Sequence, residues 1–250
     1  MLPRVKDDDV AVLKFGSSLL DGAHGFRTAA AEVDRWVRHG YRVVAVCSAR
    51  DGVTDELLRA AAALGHGAPD GLLARLLGTG ESASVALLAL ALASCGVSAH
   101  VMDVASLGLR TRGRLLDADP VDVDVEGLRA RLRISQAVVV PGFLGIDESG
   151  EPSLLGRGGS DLTALFLAHR LGASECRLLK DVDGLFSADP KMDPGARVFP
   201  RATWQQVVEQ GGGVVQPKAV AFAETQRRPF VIAAPGGQGT WVGVPAEVVA

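Results

Sequence analysis

The stretch Gly156-Arg157-Gly158-Gly159-Ser160-Asp161-Leu162-Thr163-Ala164 places three glycines within four residues, directly ahead of a helical pattern. Leu162, Leu165, Phe166 and His169 fall at i, i+3, i+4 and i+7, which predicts a helix ending near Gly172. Ser160 or Asp161 is the natural N-cap, since a side-chain oxygen there can accept from free backbone N–H groups. A glycine-rich turn feeding a helix N-terminus offers N–H donors and the positive end of the dipole, a setting suited to phosphate. A tight turn with an ordinary cap would account for the glycines alone. Arg157 inside the turn favours an anion site, because a guanidinium can hold a carboxylate or phosphate with two hydrogen bonds. The dinucleotide fingerprint is not met, since Gly156-x-Gly158-x-x is followed by Asp161, and no phosphate loop ending in Gly-Lys-Ser/Thr is present.

Further charged residues sit at positions where chemistry is plausible. Lys14 lies one residue from the end of the apolar run Val10 to Phe15, which is followed by Gly16-Ser17-Ser18. A lysine there is either a snorkelling surface group or a cation aimed at a phosphate on that small-residue loop. Glu81 lies in Gly78-Thr79-Gly80-Glu81-Ser82, ahead of the apolar stretch Ala83 to Ser94, where an acid beside a helix start needs no further role. Asp181 and Asp183 follow the predicted strand Glu175 to Leu179, and Ser187-Ala188-Asp189-Pro190-Lys191 forms a second turn. Acidic turns are often only turns, yet two after one strand end are placed to grip a nucleotide and its magnesium.

The elements that must position these groups read as strand, helix, strand with short links. Val10 to Phe15 and Tyr41 to Cys47 are predicted strands around a helix from Phe26 to Arg38, and another helix opens near Asp55 after Ser48 and Thr54. That pattern means a parallel sheet covered by helices, with ligands gathering beyond the carboxyl ends of the strands. A helix over Ala83 to Ser94, capped by Thr79 or Ser82, is followed by a strand from Val97 to Val104. Leu107 to Asp124 reads as an irregular polar stretch whose Arg110, Arg112 and Arg114 are either solvated or on a substrate-side loop and carry no assigned role. Gln136 to Pro141 is a strand, and Phe143 to Leu155 a hairpin around Asp147-Gly150. Helices over Thr203 to Gln210 and Lys218 to Arg227 flank Gly211-Gly212-Gly213, and Pro229 to Ala233 is the final strand. With no repeat and no composition break, one domain spanning 1–250 is expected.

Composition narrows the function classes. The 250 residues are 48% apolar and carry a net charge of -3, which supplies a core and gives no basic footprint for nucleic acid. The three cysteines, Cys47, Cys95 and Cys176, show neither Cys-x-x-Cys nor metal-ligand spacing and read as thiols in a reducing compartment. The N-terminus is polar and acidic, unlike a signal peptide, and the longest apolar run, Val85 to Val97, is too short to span a bilayer. A soluble cytoplasmic protein without membrane partners is expected.

Five motifs in order resemble the amino acid kinase family, and within it the catalytic domain of the aspartate kinases, from about Val12 to Ala233. LKFGSS resembles the opening lysine-phenylalanine-glycine motif, with Ser17 at its usual second glycine. VCSARDGVTDELL resembles the Ser-x-x-x-Gly-Val/Ile-Thr loop, GTGESASVALLALAL the Gly-Glu helix start, LGRGGSDLTAL the most specific motif, and LKDVDGLFSADPK the nucleotide-binding turns. The resemblance implies a three-layer αβα sandwich with a central, mostly parallel sheet. It also implies ATP- and Mg2+-dependent phosphorylation of an aspartate-like side chain to an acyl phosphate, and a homodimer. Carried over, Lys14 with Gly16, Ser17 and Ser18 would hold the transferred phosphoryl group, and Asp161 would order the lysine and the metal–phosphate end. Ser48, Thr54, Glu81, Arg157, Gly158 and Ser160 would hold the amino acid, Arg157 taking its α-carboxylate and Glu81 its ammonium. Asp181, Phe186 and Lys191 would line the nucleotide side. Three departures stand out: no ACT regulatory domain is expected within this sequence, Gly213 replaces a phosphate-contacting lysine, and Lys180 stands where a threonine is common. Two other readings compete with the aspartate kinase: a catalytically weak regulatory protein of the same fold, and a kinase for another amino acid such as glutamate.

Overall fold

The computed structural model describes residues 9–65, 67–188, 192–193, 195–210 and 214–243. In chain order, β1 (Val10–Phe15) passes through a single 3-10 turn (Ser17–Leu19) into α1 (Gly22–Arg38) and returns as β2 (Arg42–Cys47). Then come α2 (Val53–Ala63), α3 (Asp70–Ser94), β3 (Ala99–Val101) and α4 (Val104–Leu107). A hairpin of β4 (Arg110–Arg114) and β5 (Asp117–Asp122) precedes α5 (Val125–Ile134) and β6 (Ala137–Pro141). A second hairpin, β7 (Leu144–Ile146) and β8 (Pro152–Leu154), leads to α6 (Gly159–Leu171) and β9 (Glu175–Leu179). The remainder is β10 (Leu185–Phe186), β11 (Val198–Phe199), β12 (Arg201–Ala202), α7 (Trp204–Gln210), α8 (Pro217–Thr225), β13 (Phe230–Ala233) and β14 (Thr240–Val242).

Eight strands form the central sheet in the order β12-β14-β13-β9-β1-β2-β6-β3. From β13 to β3 every neighbour is parallel, and only the β13–β14 pair is antiparallel. The chain leaves β1 toward β2 on one side and later returns to its other side as β9. This reversal opens a crevice at the carboxyl edge. Strand alternation sorts β1 between two cores. Ala11, Leu13 and Phe15 face α1 and α3, packing with Phe26, Val33, Trp36, Leu88 and Leu92. Val12 faces the other way, into a core with Leu162 and Leu165 of α6 and Val220 of α8. Lys14 shares the parity of Val12, so the period of two aims its ammonium at α6.

Three expectations change in the structure. The helix expected from Ala83 begins instead at Asp70, with Pro69 at its N-cap position, so Glu81 lies within α3. The hydroxyls of Thr79 and Ser82 donate back to Leu76 and Gly78 carbonyls inside the helix and cap nothing. The glycines mislead because they serve packing. A Cβ at Gly78 would lie 2.8 Å from Leu144 Cδ2, and one at Gly80 2.9 Å from Ala49 Cβ. With 25 residues, α3 is also long and apolar enough to cross a membrane by length and composition, unlike the shorter run read from sequence. It nonetheless buries Ala74, Leu77, Val85, Leu88 and Leu92 within the fold. The stretch from Leu107 is ordered by β4 and β5, which join β7 and β8 in a small four-stranded sheet. Of the two readings of its arginines the structure favours the solvated one: they are exposed and do not line the cleft, with Arg110 paired to Asp122 and Arg112 to Glu148. Finally, β14 follows β13, so Pro229 to Ala233 does not close the sheet.

Candidate active site

A cleft of about 810 Å3 opens at the carboxyl edge of the sheet, between β1, β2, β9 and the N-terminus of α6. At one end stands Lys14, 5% exposed, whose Nζ lies 2.8 Å from Asp161 Oδ1. Lys180, just past β9, reaches the same carboxylate, 2.9 Å from Oδ2 and 3.3 Å from Oδ1. Burial pushes the Lys14 ammonium down to about 8 against the pull of Asp161, and the neighbouring Lys180 charge lowers it further. Burial alone would raise the Asp161 carboxyl, but the Lys14 and Lys180 charges outweigh it and hold the group below its usual range. Gly16 donates its N–H to the Leu179 carbonyl at 3.2 Å, which draws the Gly16-Ser17-Ser18 turn over both lysines. The result is a carboxylate with two cations under a small-residue loop, an arrangement that attracts a polyanion.

The α6 N-terminus completes that end. Its N-cap is Gly158, at φ 76°, in place of the expected Ser160 or Asp161, both of which lie in the first turn. The glycine is required there, because a Cβ on Gly158 would collide with the Gln216 side chain, and one on Gly156, also at φ 76°, with Asp117. The loop is tight enough that the Gly159 and Asp161 amides already donate to the Gly156 and Gly158 carbonyls. The side-chain oxygen of Asp161 is thereby released from capping and turned to the lysines. Behind the loop, Lys218 of α8 donates to Asp117, to the Ala118 carbonyl and to the Leu155 carbonyl at 2.8, 3.0 and 3.2 Å. That lysine is a strut for the loop, engaged away from the cleft.

At the other end Glu81 is 3% exposed. Its Oε1 accepts from the Ala49 amide at 3.2 Å, while Oε2 has no partner. Burial raises this carboxyl to about 7, partly offset by the Ala49 amide. A buried carboxylate with one unsatisfied oxygen is costly unless a cation arrives. Arg157 is exposed on the cleft and makes no hydrogen bond or ion pair with the described residues. Ser48, Thr54, Gly158 and Ser160 line the space between these groups, and Asp181 borders it on the β9 side.

Twelve of the residues anticipated from sequence therefore share one cleft: Lys14, Gly16, Ser17, Ser18, Ser48, Thr54, Glu81, Arg157, Gly158, Ser160, Asp161 and Asp181. Phe186 does not line it. Phe186 is half-buried in the β10–β11 pair, opposite Val198. Lys191 and Gly213 lie outside the described residues. Lys180, a departure from the motif in the sequence, is the addition, together with Ala49 and Gln216. The unusual lysine at a buried strand end is the signal that marks Lys180 in the sequence, as it marks Lys14.

Comparisons with known proteins agree with this architecture. Residues 9–234 match the model of the Amino acid kinase family. The chain is 36% identical over 225 residues to an aspartokinase of Corynebacterium efficiens, covering 88% of this chain and 53% of that protein. Among solved structures, aspartate kinase from Synechocystis superposes with a TM-score of 0.81 at 32% identity, over 95% of this chain and 40% of that one. E. coli aspartokinase III in complex with aspartate and ADP shares the fold, with a TM-score of 0.79 at 23% identity over 94% of this chain and 64% of that one. The chain spans about half the length of the curated relatives it matches.

Proposed function

The chain belongs to the amino acid kinase family, and from that premise we propose that it transfers the terminal phosphoryl group of ATP to the side-chain carboxylate of L-aspartate or a close analogue. The product would be an acyl phosphate, 4-phospho-L-aspartate. The observation that carries this reading is the polarity of the cleft. Two lysines on Asp161 mark a phosphate end, and the half-satisfied Glu81 with the free Arg157 marks an amino-acid end.

In this reading Glu81 accepts the substrate ammonium on its unpartnered oxygen, and Arg157 takes the α-carboxylate with two parallel hydrogen bonds. Ser48, Thr54, Gly158 and Ser160 fix the remainder of the amino acid. The acceptor carboxylate has a pKa near ~4 and is already ionised at neutral pH, so the reaction asks for no general base. Positioning and charge neutralisation remain, and these fall to Lys14, Asp161 and the Gly16-Ser17-Ser18 loop. Asp181 borders the nucleotide side.

The donor set suits a magnesium ion carried in on the phosphates. Among the described residues no three His, Cys, Asp or Glu side chains converge, and both Asp161 oxygens face ammonium groups. Bound magnesium would neutralise charge on the β- and γ-phosphoryl oxygens. Free thiols at Cys47, Cys95 and Cys176 suit a cytoplasmic setting. We also propose a homodimer, supported by the exposed apolar face that Leu87 and Leu90 form on α3.

Incubation with ATP, magnesium and hydroxylamine tests the function, since an acyl phosphate is trapped as a hydroxamate. Aspartate should give the hydroxamate and glutamate much less. ATP turnover without hydroxamate from any amino acid would reject the reading.

A further inference from the structure

Lys180 adds charge to the phosphate end described above but is given no ligand contact of its own there, although it lines the same cleft as Lys14. Its backbone is fixed, with the N–H donating to the Ala233 carbonyl at 2.8 Å. Leu178 and Lys14 are register partners on adjacent strands, and Lys180 follows Leu178 by two residues. The strand period therefore sends both lysines to the α6 face, from two neighbouring strands, with Asp161 between them.

As a structural partner for Asp161, Lys180 is redundant. Lys14 already neutralises that carboxylate from a more buried position, its side chain 6% exposed against 16% for Lys180. Two ammonium groups on one carboxylate leave one surplus positive charge. Gly16 sits over that surplus without a side chain: a Cβ there would lie 3.6 Å from Lys14 Nζ and 3.8 Å from Lys180 Cδ. The cleft thus keeps the loop backbone close to both cations. Repulsion between the two ammoniums, visible in the lowering of Lys14 by Lys180, would be relieved by an incoming polyanion. Lys218, the other lysine near the glycine loop, is held by Asp117, Asp119 and two carbonyls and has no freedom to serve.

We propose that Lys180 is a phosphate-binding residue, its ammonium passing from Asp161 to the outer phosphates of the nucleotide on the side opposite Lys14. This rests on the ATP-dependent reading above and adds to it a cation that none of the motif-implied roles includes. Lys14 and Lys180 would then grip the triphosphate from two strands, with Asp161 orienting both when no nucleotide is present.

Calorimetric titration of the full chain with β,γ-imido-ATP and magnesium, and separately with AMP, tests this in the wild type and in Lys180→Met, Lys180→Gln and Lys180→Arg. A charge-assisted phosphate contact is worth about ten-fold in affinity. The Met and Gln variants should lose that factor for the triphosphate analogue and keep AMP binding within about two-fold. The Arg variant should recover most of the loss, and KM for aspartate should not change. Using two neutral replacements guards against one that fails to fold, and melting temperatures identify such a case. Triphosphate binding equal to wild type in a folded Met or Gln variant would overturn the proposal, as would an equal loss for AMP. Hydroxamate formation by the wild type is measured in parallel. A wild type that makes no aspartyl hydroxamate yet binds the triphosphate through Lys180 would reject the acceptor assignment and leave this proposal standing. A wild type that binds no triphosphate would reject both.

Discussion

At the scale of single residues, the Lys14–Asp161–Lys180 cluster has an asymmetry that mutation can read. Removing Lys14 leaves Asp161 paired with Lys180, whereas removing the Asp161 charge leaves two ammoniums facing each other in a buried place. Breaking a buried pair so that a charge is uncompensated costs ~3–5 kcal/mol. Asp161→Asn should therefore lower the melting temperature more than Lys14→Met does. Both variants should lose ~10²–10³ in turnover, as expected when a charge-stabilising group leaves a closed site. Thermal denaturation beside initial rates checks both statements, and an Asp161→Asn variant melting above Lys14→Met would contradict the first. Glu81 supplies the pH dependence. Its folded pKa is raised to about 7, so the folded state holds its proton more tightly than the unfolded chain. The stability tied to the neutral form is complete below the unfolded pKa and is lost as pH rises through about 7. Glu81→Gln should accordingly gain melting temperature over the wild type at pH 8 and little at pH 4. In the wild type, kcat/KM for aspartate should fall as pH drops below about 7, where Glu81 no longer offers a charge to the ammonium. A pH-independent kcat/KM between 5.5 and 8 would remove Glu81 from that role.

At the scale of elements, the amino-acid end depends on how closely α3 approaches its neighbours. Gly80 permits the contact with Ala49, whose amide is the donor to Glu81. A methyl group at Gly80 would sit 2.9 Å from Ala49 Cβ and 3.2 Å from Val53 Cγ1, so α3 or α2 must shift. Overpacking of this kind costs ~1–3 kcal/mol. Gly80→Ala is therefore expected to lower the melting temperature even though alanine is the better helix former. It should also raise KM for aspartate more than KM for ATP, because the displaced element carries Glu81. A variant as stable as the wild type would show that the helices close up without cost.

At the scale of the whole molecule, the exposed apolar face of α3 asks for cover. Leu87 and Leu90 are 39% and 66% exposed, and Ala83 and Ser94 continue the same face at helical spacing. If a second copy covers it, light scattering at micromolar concentration should report a dimer, and Leu90→Glu should shift it toward monomer without altering the fold. A wild type that scatters as a monomer would reject the homodimer. The α6 core and the two lysine-bearing strands lie elsewhere, so Leu90→Glu should leave nucleotide binding unchanged.

Much of the site was legible because its residues break local rules. A lysine at a buried strand end, as at Lys14, and an arginine inside a glycine turn ahead of a helix, as at Arg157, are not explained by simple packing and so point to a ligand. Short apolar runs bounded by turn residues also pointed to the parallel strands β1, β2, β6, β9 and β13, and helical spacing to helices over them. Local pattern does not tell a glycine that starts a helix from one that lets a helix be approached, so it starts α3 at Ala83 and puts Glu81 at a terminus, where the fold continues the helix back to Asp70. Nor could it tell which residue would cap α6. That depends on Gly158 adopting a positive φ against Gln216, a residue 58 positions away in the chain. The pairing of Lys180 with Asp161 was likewise decided only by the order of strands in the sheet. The sequence spaced those two residues 19 apart, and the fold set β9 beside β1 so that one carboxylate met two cations.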